Sequence, residues 1–296
     1  MSGPGWKRSL ALPAVVRLLW HESEPHPRDI PLEELYADLC FPHPEGSLPY
    51  LVANMVMTQN GEAAVEGRAS TIGTPVDGIV LTRVRSAADA LLTGSGTVVA
   101  EDVTAALPAS EAARRKGSGR PPDLLAAVLA GHLDWDDRVL SRRFFTDPGF
   151  RRLIITGEHA PPDAVRRLEA RGLEVARVRS TPEGRPDPVA ALELLAGRGA
   201  HVVVSEGGPR LLGSLLRARL VREYFLTTSP FATGDPGAPR PVAGPLQQEG
   251  GPLLLERISR YEQEFRDPAT GARLIESYDR FRVVYPEQAL AGSGAK

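Results

Sequence analysis

The chain has 296 residues, 42% apolar and 24% charged, with a net charge of −2. That length holds one large α/β domain or two small ones, the near-neutral balance excludes nucleic acid and anionic membrane as main partners, and each of those would favour a basic stripe. Cys40 is the only cysteine, which excludes an intrachain disulfide and any multi-cysteine metal site.

Lys7 and Arg8 precede an apolar run from Leu10 to Trp20. Pro13 and Arg17 interrupt it and no small-residue cleavage pattern follows, so a cytoplasmic protein is expected. No stretch approaches the roughly 18 apolar residues of a membrane span. Residues 1–48 read as a lead-in with one helix, Ile30 to Leu39, where apolar residues fall three or four apart after a proline. Tyr50 to Met57 then reads as a strand and Val76–Ala87 as a helix. Ala88 to Thr93 reads as a buried strand, while Asp123 to Leu129 fits a strand or a helix. Arg152 to Thr156, Leu173 to Val178 and His201 to Ser205 are short strands, with helices expected at Pro161–Arg171, Pro188–Arg198 and Arg210–Leu220. This alternation points to an α/β domain with a largely parallel sheet and helices on both faces. Glu223–Thr228, Leu253–Phe265 and Ala272–Val284 read as strands that add an antiparallel C-terminal part. Ala109 to Pro122 and Thr233 to Gly251 read as exposed loops, and residues 287–296 as a disordered tail.

Two glycine clusters stand out. Glu206-Gly207-Gly208-Pro209 follows the strand His201–Ser205 and opens a helix whose buried stripe is Leu211, Leu212, Leu215 and Leu216. Glycines at a helix N-terminus admit a ligand close to the backbone, and the free N–H groups favour an anion such as a pyrophosphate. A tight strand-to-helix turn accounts for the same glycines equally well. Gly94-Ser95-Gly96-Thr97 follows the strand Ala88–Thr93, but Val99 stands where a dinucleotide fingerprint needs its third glycine, and Glu101-Asp102 follow at once instead of a fresh apolar helix. Loops at the carboxyl ends of parallel strands converge on one crevice, so the two clusters together favour a dinucleotide site over two coincidental turns. Arg114-Arg115-Lys116, Arg120 and Arg142-Arg143 are candidate phosphate contacts or solvated surface. Asn60-Gly61 is a strong signal for a hairpin turn. The histidines show no metal-ligand spacing, and no metal site is expected.

Three blocks carry a family resemblance. Pro49-Tyr50 through Asn54, Met57 and Thr58 to Asn60-Gly61 resembles R-P-Y-V-x-x-K/N-x-x-M-S/T-L-D-G. Ala88-Asp89-Ala90 through Gly94-Ser95-Gly96-Thr97 to Glu101-Asp102 resembles A-D-A-I-L-V-G-x-G-T-V-L-A-D-D. Ser205-Glu206-Gly207-Gly208-Pro209 with Leu220-Val221-Arg222-Glu223, Ser229-Pro230 and Gly234 resembles E-G-G-P…L-V-D-E-L…A-P…G. In this order the blocks resemble the pyrimidine-reductase (RibD C-terminal) domain of bacterial riboflavin biosynthesis, over Pro49 to Gly234. The resemblance implies a dihydrofolate-reductase-like three-layer fold over residues 49–286, NADPH as hydride donor, a small-molecule substrate reduced at the ribose C1′ of a phosphoribosylamino-pyrimidine, and a homodimer. It implies that Gly94, Ser95, Gly96, Thr97, Thr156, Glu206, Gly207, Gly208, Pro209 and Leu211 hold the cofactor. Asn54, Met57 and Thr74 would line the substrate, with Asn60 and Asp102 as catalytic residues. Arg85 aligns with a family arginine on a helix, and a surface salt bridge is its other reading.

The chain departs from the family pattern at the substrate end. Asn60 stands where the family usually has aspartate, a hydroxyl shifts by one position in Ile72-Gly73-Thr74, and Val103 to Leu107 lacks the arginine that helps bind the substrate phosphate. With one cysteine there is no H-x-E…P-C-x-x-C deaminase site. The competing readings are a nucleotide-binding protein without reductase activity, a reductase of a pterin-like substrate and, last, a Rossmann-type dehydrogenase.

Overall fold

The computed structural model describes residues 10–24, 26–244, 246 and 252–286. The elements run β1 (Val15–His21), β2 (Arg28–Pro31), a 3-10 turn (Leu32–Glu34), β3 (Tyr50–Thr58), a second 3-10 turn (Ala69–Thr71), α1 (Pro75–Ala87), β4 (Ala90–Gly94) and α2 (Ser95–Ala100). They continue with α3 (Ala109–Gly117), β5 (Leu125–Ala130), α4 (Asp137–Leu140), α5 (Arg143–Thr146), β6 (Arg151–Gly157), α6 (Pro162–Glu169) and β7 (Val175–Val178). The last are α7 (Pro188–Gly197), β8 (Val202–Ser205), α8 (Pro209–Arg217), β9 (Val221–Ser229), β10 (Leu254–Arg266) and β11 (Arg273–Val284).

All strands join one 11-stranded sheet in the order β2-β1-β10-β11-β9-β3-β8-β4-β5-β6-β7. From β9 to β7 every neighbouring pair is parallel, and from β9 outward through β11, β10, β1 and β2 every pair is antiparallel. The parallel strands are apolar on both faces because helices cover both. β8 is buried along its whole length, and Leu51, Val52 and Ala53 of β3 are fully buried. One face packs on Val76, Val80 and Val84 of α1 with Val165 and Leu168 of α6. The other packs on Leu192 and Leu195 of α7 with Leu212, Leu215 and Leu216 of α8. The three-layer arrangement expected from the alternating pattern is therefore present.

Three expectations need correction. The lead-in is sheet, not helix: β1 and β2 extend the antiparallel half, and the helix expected over Ile30 to Leu39 is only a 3-10 turn. The apolar spacing there serves a different end, since Leu35 and Tyr36 are buried and Tyr36 packs edge-on to Phe225 and Tyr261. The segment 109–117, expected as a loop, is helix α3. It has strong helix formers but no apolar stripe, and the side chains it buries are Glu111 and Arg115. Arg115 is therefore neither a phosphate contact nor solvated surface: it donates to Pro121 O at 2.8 Å, to Ser86 O at 3.0 Å and to Ala88 O, closing the end of α1. Finally, Asn60-Gly61 makes a tight turn, with Gly61 at φ +82° and Gly61 N donating to Thr58 O, but no hairpin, because both neighbours of β3 are parallel to it. The expected disordered tail, residues 287–296, lies outside the described residues, as does part of the expected loop Thr233 to Gly251; its described part is irregular.

A buried polar cluster ties α1 to the carboxyl end of the sheet. Glu276 of β11 is fully buried and accepts from Thr74 N at 3.1 Å, from Tyr278 Oη at 2.7 Å and from Thr74 Oγ1. Ser229 Oγ lies 2.7 Å from Ile72 O and 2.5 Å from Glu276 Oε1. One hydroxyl hydrogen cannot serve both acceptors, and a neutral Glu276 that donates to Ser229 completes the chain. Burial pushes the Glu276 carboxyl up from its ordinary range, against the hydroxyls that pull it down. A raised folded value means stability present below the unfolded value of about 4.3 and lost as pH rises through the folded one. Glu276→Gln cannot ionise and is expected to lack that loss. In urea titrations between pH 5 and 8 the variant should gain on the wild type as pH rises, and parallel curves would reject a neutral Glu276.

Candidate active site

The carboxyl ends of β4 and β8 meet more closely than their strand pairing requires. Glu206 N donates to Leu92 O at 3.1 Å and Gly94 N to Gly207 O at 2.7 Å, while Thr93 Oγ1 donates to the same carbonyl at 3.2 Å. A Cβ at Gly94 would lie 3.3 Å from Gly208 N and 3.7 Å from the Leu211 Cβ, and one at Gly208 would lie 3.3 Å from Thr97 Oγ1. Gly207, at φ +81°, has Met55 Sδ 3.0 Å from where its Cβ would be. A Cβ at Gly96 would meet nothing within 4 Å. The two glycine clusters therefore form one cradle, closed by backbone on one side and open at Gly96. Gly94, Gly96, Thr97, Gly207, Gly208 and the first turn of α8, begun by Pro209, all converge there. Ser95 opens α2, so this cluster does start a helix, contrary to the sequence reading, although only a short one.

Arg85 holds the cradle from beneath, which the sequence reading left as a possible surface contact. It is 7% exposed. Its Nε and Nη2 donate to Glu206 Oε1 and Oε2 at 2.5 and 2.6 Å, and its Nη1 to Thr104 O at 2.9 Å. Burial alone would lower the Arg85 guanidinium, but the Glu206 carboxylate outweighs it and holds the group above its ordinary value. Glu206 thus orders the Gly207-Gly208 turn through a buried bidentate pair. The sequence signal was the pairing of a helix arginine with a carboxylate beside the glycines, which spacing alone cannot connect across 121 residues.

The remaining expected residues divide. Thr156 is fully buried and its hydroxyl donates to Ala130 O at 2.9 Å, so it presents no surface to the cradle. Thr74 is buried and its hydroxyl is spent in the Glu276 cluster. Asn54 and Met57 lie on opposite faces of β3 by strand alternation, Asn54 with Val52 and Met57 with Met55. The structure does not bring Asn54, Met57 and Thr74 to one surface. Asn60 accepts from Thr58 Oγ1 at 2.6 Å and donates through Nδ2 to Glu62 Oε1 at 2.9 Å and Thr233 O at 2.6 Å. An aspartate could not make those two donations and would face the Glu62 carboxylate, which accounts physically for an amide at this position. Glu62 itself is buried, and its Oε2 has no hydrogen-bond partner among the described residues.

Asp102 is exposed and its Oδ1 accepts from Arg143 N at 2.7 Å. Its neighbour Glu101, which the motif gives no role of its own, is buried and accepts from Ala69 N at 2.8 Å and Ser70 N at 3.1 Å. The two adjacent carboxylates hold opposite walls of one cleft, the 3-10 turn that begins at Ala69 on one side and the start of α5 on the other. No group of histidine, cysteine and carboxylate side chains among the described residues has the geometry to hold a metal ion.

The family model of the RibD C-terminal domain matches residues 49–264. The chain belongs to this family. It is 30% identical over 194 residues to a 2,5-diamino-6-ribosylamino-4(3H)-pyrimidinone 5′-phosphate reductase of Archaeoglobus fulgidus, covering 64% of this chain and 84% of that protein. It is 28% identical over 214 residues to the riboflavin biosynthesis protein RibD of Chlamydia pneumoniae, covering 71% of this chain but 54% of that protein. Among solved structures, a pyrimidine reductase-like protein of Corynebacterium diphtheriae superposes with a TM-score of 0.59 at 21% identity, covering 86% of this chain and 98% of that one. The deaminase/reductase of Thermotoga maritima superposes with a TM-score of 0.55 at 18% identity, over 80% of this chain and 57% of that one. These likenesses establish the dihydrofolate-reductase-like fold of RibD reductase domains.

Removing one partner of the Arg85–Glu206 pair strands a charge under the cradle. Arg85→Leu is expected to cost about 3 kcal/mol, and Arg85→Leu with Glu206→Leu less than either single change. Urea unfolding of the three variants measures this, and additive single costs would show that the pair is not coupled.

Proposed function

We propose that the chain is an NADPH-dependent reductase of a ribosylamino-pyrimidine 5′-phosphate, the substrate class named for its archaeal relatives. The observation that carries this reading is the cradle where β4 and β8 meet. It has the features a dinucleotide pyrophosphate needs: glycines where a Cβ would fill the approach, and the N-terminus of α8 facing it. The residues present fit such a cofactor, with Gly94, Gly96, Thr97, Gly207, Gly208 and Pro209 as its holders and Ser95 and Leu211 supporting them. NADPH, when bound, supplies the hydride.

The C1′–O4′ bond breaks as the N–H proton passes to O4′, leaving an open-chain imine; a hydride then adds to C1′ and one proton to the attached nitrogen, which leaves a ribityl chain. Little is then asked of side chains beyond orientation and exclusion of water. Arg85 and Glu206 fix the cradle, Met55 backs Gly207, and the Glu101–Asp102 pair sets the walls of the adjoining cleft. This agrees with a site that lacks a nucleophile–base pair. Three large apolar side chains of the β10–β11 hairpin, Leu254, Leu255 and Ile275, are 51%, 43% and 42% exposed. Leu254 and Leu255 lie at the opposite end of the hairpin from Ile275, and a second copy over the Leu254–Leu255 end would form the homodimer this reading includes. Light scattering on the eluting protein should give twice the chain mass, and Leu255→Glu should halve it.

Gly208→Ala tests the cradle. The residue has φ −71°, which alanine adopts, and the new methyl meets the Thr97 hydroxyl rather than backbone. NADPH affinity, read by fluorescence quenching, should fall at least tenfold, about 1.4 kcal/mol, with the urea midpoint nearly unchanged. For the activity, loss of reduced-nicotinamide absorbance on adding the ribosylaminopyrimidinone 5′-phosphate is expected. Tight NADPH binding without turnover would replace the reductase by a nucleotide-binding protein.

A further inference from the structure

The cleft beside Asp102 has a volume of about 640 Å³ and is lined by Arg68, Arg138 and Arg142 together with Glu66, Ala100 and Asp102, a size in the range of small-molecule sites. Its arginines differ from those that build the ion pairs of the fold. Arg83, Arg85, Arg179 and Arg280 each face a carboxylate within ion-pair distance. Among the described residues Arg68, Arg138 and Arg142 face none; the contact of Arg142 is Val98 O at 3.5 Å. Three guanidiniums against two carboxylates leave the cleft positive, and Asp102 already has one oxygen engaged by Arg143 N.

The three arginines stand on built walls. Arg68 directly precedes the 3-10 turn that Glu101 grips through Ala69 N and Ser70 N. Arg138 lies on α4, and Arg142 caps α5, whose first N–H is held by Asp102. The cleft and the cradle sit at the two ends of α2, whose six residues span about 9 Å. A ligand that reaches from the cradle along α2 therefore brings its far end among the three guanidiniums.

We propose that Arg68, Arg138 and Arg142 form the binding site for a phosphomonoester, the 5′-phosphate of the substrate. Planar guanidinium forks match the tetrahedral oxygens of a phosphate dianion and can bind it from several directions. This assignment rests on the reductase reading for its choice of ligand, but its test needs no turnover. Calorimetric titration of the full chain with ribose 5-phosphate, with ribose as control, reads the site directly. Wild type should bind ribose 5-phosphate and not ribose. Arg138→Gln and Arg142→Gln should each weaken it about tenfold, and Arg68→Gln similarly, whereas Arg166→Gln on α6, which lines no part of the cleft, should not. Binding unaltered in the three cleft variants, or none in wild type, overturns the site.

A second titration distinguishes the two sources of a phosphomonoester. An unchanged ratio of NADPH to NADH affinity in the cleft variants places the substrate phosphate there. A ratio that collapses to one places the cofactor 2′-phosphate there instead and overturns the substrate assignment. If ribose 5-phosphate binds through these arginines while no ribosylaminopyrimidinone is reduced, the reductase reading falls and the phosphate site stands.

Discussion

The approach of β4 to β8 at their carboxyl ends is the constraint around which the site is built. Gly94 N donates to Gly207 O at 2.7 Å, and a Cβ on Gly94 would press within 3.3 Å of Gly208 N. Side chains at these glycines would push the turns apart and remove the cradle. The backbone cannot hold this geometry unaided, because a turn with Gly207 at φ +81° has many alternatives in glycine. Arg85 supplies the missing restraint by fixing Glu206 on both carboxylate oxygens, which anchors the turn to α1 and, through Thr104 O, to the segment after α2. A buried pair of this kind contributes little net stability against an apolar replacement; its value lies in position.

The same division between fixing and reacting runs through the neighbouring residues. Glu101 and Asp102 are adjacent in the chain, yet one is buried and grips the turn at Ala69, while the other is exposed and holds the start of α5. Asn60 saturates its amide between Thr58, Glu62 and Thr233. Thr74 gives its hydroxyl to Glu276. Polar residues that a motif would assign to the substrate are thus spent on building the walls. The chemistry left to the protein is placement of a reducible group beside a hydride donor, which demands shape more than reactive side chains.

The antiparallel half of the sheet carries no part of the cradle but secures the end of β9. Glu223 accepts from Tyr50 Oη at 2.9 Å and from Arg280 Nε at 2.7 Å, and Arg280 lies over the rings of Phe41 and Phe225. This brings β3, β9, β11 and the lead-in into one packed unit. The Glu276 cluster does the same at the opposite end of these strands, joining the N-terminus of α1 to β9 and β11. Both ends of the central strands are therefore held by buried polar contacts that cross long sequence separations.

What the sequence determined by itself is what depends on neighbours in the chain. Strands β3, β6, β8 and β9, helices α1, α6, α7 and α8, and the glycine turns were legible because period and turn chemistry act over a few residues. Convergence of the glycine clusters was legible because parallel strands place their carboxyl ends together. Tertiary structure alone decided the rest. The lead-in became two strands because β10 offered an edge to pair with, and α3 became a helix through the burial of Glu111 and Arg115 rather than an apolar stripe. The partners of Arg85, Glu101, Asn60 and Glu276, and the gathering of Arg68 with Arg138 and Arg142, lie far apart in sequence. No local pattern encodes such contacts, since a side chain's charge or hydroxyl specifies what it can bind but not which distant group the fold brings to it.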